Sequence, residues 1–136
     1  MPVNRVLAVD DSHVMRRLVE VSLGELDLEV VTAGSGAEAQ AALESHAPDL
    51  LILDLGLPDM SGWDILDFVR GSPPLDGLDV IVLSGYDDVE DIERGRAGNV
   101  ASYLVKPFLP SDLRRVVLDA LDADRDPEPL GVSEPS

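Results

Sequence analysis

The chain has no cysteine, a single lysine and few aromatic residues: one tryptophan, two tyrosines and two phenylalanines in 136 positions. The missing thiols exclude disulfides and thiolate metal sites. Basic charge is scarce as well, with 10 Lys and Arg against 27 Asp and Glu and a formal net charge of −17. Such a balance repels a phosphate backbone, so direct nucleic-acid binding is not expected. Long hydrophobic runs are also absent. No stretch reaches the roughly 18 apolar residues of a membrane span, and the N-terminus meets Asp10-Asp11 before any segment apolar enough for a signal peptide. A cytoplasmic protein without membrane attachment is expected. Histidine is limited to His13 and His46, which read as solvent-facing or helix-end residues, since neither has a ligand partner at helical spacing.

What is present alternates. A chain of this length suits one domain with a real core. Short apolar runs at Val6–Val9, Leu28–Val31, Leu50–Leu53, Val80–Leu83 and, less strongly, Tyr103–Val105 read as five strands. Helical patterns lie between them. Val14, Met15, Leu18 and Val21 fall on one face of a first helix, and Ser35 with Glu38 spells a capping box for a second that must end before Pro48. The third carries Ile65, Leu66 and Val69 with Trp63 as a partly buried anchor, and stops at Gly71 and Pro73-Pro74. A polar fourth helix is expected from about Asp87 to Arg94. The last has the cleanest face, built from Leu113, Val116, Val117, Ala120 and Leu121. Strands apolar on both faces, each followed by a helix, imply a parallel α/β sheet covered on both sides. Residues 1–121 read as the domain, and the acidic, proline-containing 122–136 as a disordered tail or the start of a linker.

Ligands bind such sheets at the carboxyl ends of the strands. The first strand ends in Asp10-Asp11, the third in Asp54, the fourth in Ser84-Gly85 and the fifth in Lys106-Pro107, while the second ends in Thr32-Ala33-Gly34 and supplies nothing reactive. Three converging carboxylates raise one another's pKa, and a hard divalent cation relieves the conflict. A carboxylate beside that metal can attack phosphorus to give an acyl phosphate. A lysine and a hydroxyl facing the same point then neutralise the new phosphoryl oxygens. Asp54 thus reads as a nucleophile and phosphoryl acceptor.

The stretches "VLAVDDS", "LLILDLGLPDMSGW", "IVLSGY" and "YLVKPF", in this order and at strand ends, resemble the receiver domain of two-component response regulators, of the chemotaxis-Y-like kind, over about residues 4–121. The resemblance implies a flavodoxin-like, doubly wound fold with strand order 2-1-3-4-5 and five helices. It implies Asp54 as phosphoacceptor, with magnesium (manganese able to substitute) held by Asp11, Asp54 and the Gly56 carbonyl, and by Asp10 mainly through water. Lys106 and the Gly85 amide contact the phosphoryl group, Ser84 and Tyr103 form a switch pair, and the Lys106–Pro107 bond is cis. The implied partners are a histidine kinase or phosphotransfer protein and a downstream protein that reads the face of the fourth helix, fifth strand and fifth helix. Such a module catalyses only its own phosphoryl transfer and autodephosphorylation. Departures are Ser84, where threonine is also common, "RAGNVASYL" without a glycine-alanine pair, and Val116, where receivers of winged-helix transcription factors carry a dimer-face arginine.

Plainer readings stand beside these. Asp10-Asp11 suits a helix N-terminus, Ser84-Gly85 an ordinary turn, Lys106 a solvated surface and Tyr103 the core. Asp87, Asp88, Glu90, Asp91 and Glu93 suit a solvated acidic face. Among other functions, a dehalogenase-like phosphohydrolase needs acid-x-acid on one loop, whereas Asp54 is followed by Leu55-Gly56. A flavodoxin needs a hydroxyl-rich phosphate loop where this chain has "DDSHVM". A pseudo-receiver would lack an acceptor-site residue, and a receiver fragment of a longer transcriptional regulator would look the same as a stand-alone receiver.

Overall fold

Leucine, isoleucine and valine dominate the central strand segments, Val6–Val9, Leu50–Leu53 and Val80–Leu83, which suits strands covered on both faces. The structure, a computed structural model, describes residues 4–84 and 100–125, the last three for their backbone alone. In order these form β1 (Asn4–Val9), α1 (His13–Leu23), β2 (Leu28–Ala33), α2 (Gly36–His46), β3 (Leu50–Asp54), α3 (Gly62–Arg70), β4 (Asp79–Ser84), β5 (Ser102–Val105) and α4 (Pro110–Arg125). All strand pairs are parallel, in the order β2-β1-β3-β4-β5. That is the expected flavodoxin-like order, with β2 at an edge. Four helices stand among the described residues, not five; the polar helix expected at Asp87–Arg94, its acidic face and Gly85 lie outside them. None of the described helices is long and apolar enough to cross a membrane.

Side chains alternate across each strand, so the sheet feeds two half-cores. Leu7, Val9, Leu51, Leu53, Val80 and Val82 meet α2 and α3 through Ala39, Leu43, Ile65, Leu66 and Val69. Val6, Ala8, Leu50, Ile52, Ile81 and Leu83 meet α1 and α4 through Val19, Leu23, Leu113 and Val117. All five residues of β3 are buried. With each leucine or isoleucine worth about 1.5–3 kcal/mol on burial, β3 anchors the sheet and holds Asp54 at its end.

Local details depart from expectation in three places. The α1 face containing Val14 and Val21 is the outer one, with those residues 76% and 56% exposed, while Val19, Ser22 and Leu23 are buried. The helix carries two apolar stripes, and its start at Ser12, directly after β1, sets which one meets the sheet. At α2 only half of the capping box forms. The Ser35 hydroxyl accepts from Glu38 N–H at 3.2 Å, but Glu38 Oε1 accepts from Gly34 N–H at 2.7 Å, one residue outside the cap. The reciprocal box appears instead on α3, between Ser61 and Asp64. Finally, α4 runs to Arg125, past the expected boundary at 121, because the polar residues that end the apolar face are still compatible with helix.

Candidate functional site

Strand register sets the site. Val9 pairs with Leu53 and Leu53 with Val82, so Asp10 and Asp54 leave neighbouring strands at one level. Alternation sends both toward the sheet side of Ala8 and Ile52. On the far side Lys106 N–H donates to Ser84 O at 2.7 Å just past the end of β5, and the Lys106–Pro107 bond is cis. The Lys106 ammonium then lies 3.0 Å from Asp10 Oδ2 and 3.3 Å from Asp54 Oδ1. Asp10 and Asp54 are buried, and Lys106 is half-buried. Residues 44 to 96 positions apart in sequence meet here at one point.

Asp10 is held from three sides. Its Oδ1 accepts from Ser12 N–H at 2.9 Å, its carbonyl accepts from Arg16 Nη1 at 2.7 Å, and its own N–H donates to Ala33 O at 3.1 Å. The first helix is capped by Ser12, whose hydroxyl accepts from Met15 N–H, so neither Asp10 nor Asp11 is used as its cap. Burial pushes the Asp54 carboxyl above its ordinary value, and the Asp10 charge pushes it further; Lys106 and the Gly56 N–H pull it back only in part. Burial pushes the Lys106 ammonium down, but its contacts with Asp10 and Asp54 outweigh this and leave it raised. The Asp54 carboxylate is thus disfavoured by its burial and by Asp10, beside a lysine whose protonated form is favoured.

Asp10, Asp11 and Asp54 each offer one carboxylate oxygen, and these three lie within 4.8 Å of one another. Oxygens on one octahedral magnesium, each at about 2.1 Å, lie about 3.0 Å apart when adjacent and about 4.2 Å apart when opposite, so the three carboxylates would draw together around it. Asp11 is exposed and free to make that movement. The donor set fits a hard divalent cation. Gly56, expected to add its carbonyl, sits exposed on the loop between β3 and α3, where it bridges Ser61. The loop closes because Gly62 has no side chain: a Cβ there would lie 2.5 Å from Asp54 O and 2.7 Å from Leu55 Cα.

Ser84 is buried at the end of β4, paired with Val105, and Tyr103 is half-buried opposite Val82. Val82 and Ser84 share a strand face, and Tyr103 packs on the core of that same side. The structure therefore puts the two on one face of adjacent strands. Trp63 is buried at the start of α3, more deeply than expected, His13 is exposed, and His46 closes α2, its carbonyl accepting from the Arg5 guanidinium. Val116 is half-buried on α4. Sequence reading passed over Arg16 and Asp59. Arg16 lies at a helix position that gives no sign of its backbone partner, and the Asp59 carboxylate binds amides 22 and 23 residues earlier.

Comparison with known proteins agrees with this geometry. The family model of the response regulator receiver domain matches residues 6–118. The transcriptional regulatory protein KdpE of Mycobacterium tuberculosis is 41% identical over 105 residues, covering 76% of this chain and 44% of that protein. The DNA-binding response regulator MtrA of Mycolicibacterium smegmatis is 30% identical over 109 residues, covering 80% of this chain and 46% of that protein. The chain thus spans less than half the length of these curated relatives. Among solved structures, the chemotaxis response regulator CheY4 of Vibrio cholerae superposes with a TM-score of 0.83 at 32% identity, covering 88% of this chain and 100% of that one. Nothing in these matches supports a dehalogenase-like phosphohydrolase. A five-stranded 2-1-3-4-5 sheet, three carboxylates and a lysine at its carboxyl edge, and a family match over most of the chain lead to one conclusion: the chain belongs to the receiver domains of two-component response regulators.

Proposed function

We propose that Asp54 accepts a phosphoryl group from the phosphohistidine of a kinase or phosphotransfer protein. One observation carries the reading: three carboxylates close enough to share a cation, with Lys106 in contact with two of them. The carboxylates of Asp10, Asp11 and Asp54 and the Gly56 carbonyl would hold magnesium. Bound there, the metal would supply charge neutralisation for both the attacking carboxylate and the phosphoryl oxygens. An Asp54 oxygen attacks phosphorus, the P–N bond breaks, and its electron pair returns to the departing imidazole. Lys106 neutralises one phosphoryl oxygen, while Ser84 and the Gly85 amide donate to others. Attack by water on the acyl phosphate later returns the carboxylate and inorganic phosphate.

Val14 and Val21 are exposed on α1, which begins two residues after Asp11, and suit contact with a protein donor. For output, the Ser84 hydroxyl turns toward the phosphoryl group and Tyr103 moves into the space vacated, altering the β5–α4 face that a downstream protein reads. Phosphorylation shifts that balance only by its differential affinity for the two states. Whether DNA binding follows would depend on any further domain; the relative MtrA is a DNA-binding response regulator of which the match covers 46%. Intact-mass analysis after incubation with acetyl phosphate and magnesium tests the assignment. One labile phosphoryl adduct is expected on the wild type and none on Asp54→Asn. An adduct of undiminished yield in the variant overturns it.

A further inference from the structure

The loop that follows Asp54 is fastened twice. At its root Gly62 N–H donates to Leu55 O at 2.9 Å, and Gly56 bridges Ser61. At its tip the Asp59 carboxylate reaches across to the first turn of α2, where Oδ1 accepts from Gly36 N–H at 2.8 Å and Oδ2 from Ala37 N–H at 3.0 Å. These are two of the amides that a helix start leaves unpaired, and the Ser35 hydroxyl takes a third, that of Glu38. Charge-assisted bonds and the helix dipole both favour a carboxylate there. The Gly36 amide accordingly holds the Asp59 carboxyl below its ordinary value. Met60 closes over the same point: a Cβ on Gly36 would lie 2.3 Å from Met60 Cγ, so α2 and the loop meet without room for a side chain.

Gly56 belongs to the root fastening, through its bridge to Ser61, and precedes the tip held by Asp59. Its N–H pulls the Asp54 carboxyl down, and no described residue stands within 4 Å of where its Cβ would be. A glycine with open space at its Cβ has wide backbone freedom, so its carbonyl direction is set by the Ser61 bridge and by the course of the loop beyond it. We propose that Asp59 is a positioning residue: by clamping the loop tip to α2, it fixes Gly56 against Asp54 and so sets metal affinity at the acceptor site. The inference rests on the reading of that site given above. Without the clamp, Gly56 is turned correctly only part of the time, and apparent affinity falls by that fraction.

Magnesium titration followed by backbone amide shifts, alongside thermal melts, tests the clamp on wild type, Asp59→Ala, Asp59→Asn and Ser35→Ala. Asp59→Ala is expected to raise the magnesium dissociation constant about 10-fold, the low end of the effect of losing an outer partner of a metal ligand. Asp59→Asn keeps one acceptor and should lose less; it also serves if the alanine variant does not fold. Ser35→Ala removes a cap from the same helix end but leaves the loop attached, so its melting temperature should fall while its magnesium affinity stays at the wild-type value. Wild-type affinity in both Asp59 variants overturns the proposal, as does an equal loss in Ser35→Ala, which would mean that helix stability alone matters. A wild type that binds no magnesium and takes no phosphoryl group would overturn the acceptor-site reading and the clamp together.

Discussion

Replacing Asp54 with asparagine should stabilise the metal-free protein, although it deletes a salt bridge. At an effective dielectric of about 20, Lys106 at 3.3 Å attracts the Asp54 carboxylate by about 5 kcal/mol, and Asp10 within 4.8 Å repels it by about 3.5 kcal/mol. Exposed Asp11, screened by water, adds about 1 kcal/mol of repulsion. The charges nearly cancel, so the cost of burial decides, and burial is the leading cause of the raised Asp54 pKa. Asparagine keeps the shape and can still accept from Lys106, which retains Asp10 as its counter-charge. Because burying an ion costs several kcal/mol and the replacing amide roughly 1–3 kcal/mol, a gain of about 1 kcal/mol is expected. For a domain of this size that is about 4 °C in melting temperature.

Thermal melts in EDTA at pH 7 measure this gain. The pH dependence has a definite sign. A carboxyl whose pKa is raised by folding is protonated in the native state before it is in the unfolded state, so wild type regains stability as pH falls through that raised value toward the ordinary 3.8. The gap between variant and wild type should therefore narrow on acidification. Magnesium should reverse the order, since ligand at about 100 times its dissociation constant adds about 2.7 kcal/mol to wild type. An Asp54→Asn protein that melts at or below wild type in EDTA, or a gap that widens as pH falls, refutes the reasoning.

Asp11→Ala should lose most of the melting-temperature rise that magnesium gives wild type; equal rises would remove Asp11 from the metal set. Gly62→Ala must push a Cβ into the Asp54 carbonyl and Leu55 Cα, backbone atoms with no room to yield, and should cost about 2–3 kcal/mol in urea unfolding. A loss under half of that would show that the loop adapts. Ser22→Ala should leave stability unchanged or raise it by up to about 1 kcal/mol, because the buried Ser22 hydroxyl has no hydrogen-bond partner among the described residues. A clear loss would reveal a partner for it.

Strand ends made the carboxylate–lysine cluster legible. Asp10, Asp54 and Lys106 each follow an apolar run, and a parallel sheet brings such ends together whatever the sequence distance between them. Glycine at position 62 was legible as a pattern, but its cause, the close approach to the Asp54 carbonyl, is visible only in three dimensions. The inner face of α1 was not legible. Val14, Leu18 and Val21 are as apolar as Val19 and Leu23, and hydrophobicity cannot rank two stripes on one helix. Asp59 was hidden for a different reason: a local reading looks for a cap three residues away, and its amides lie on another element. Glu38 was half legible, correct as a capping residue and displaced by one in its target.

Lys106 is the chain's only lysine, and its ammonium sits between two carboxylates. Amine-directed chemistry on this protein therefore has one side-chain address, and that address is the pocket. Acylating reagents will find an amine that is protonated and half-covered, slow to react while Asp10 and Asp54 hold it. Whatever loosens that grip turns the same residue into a reporter, read by mass as a single added group. Lysine-based dyes and surface immobilisation carry the opposite risk, since each molecule they capture through its side chain is captured by the group it most needs free.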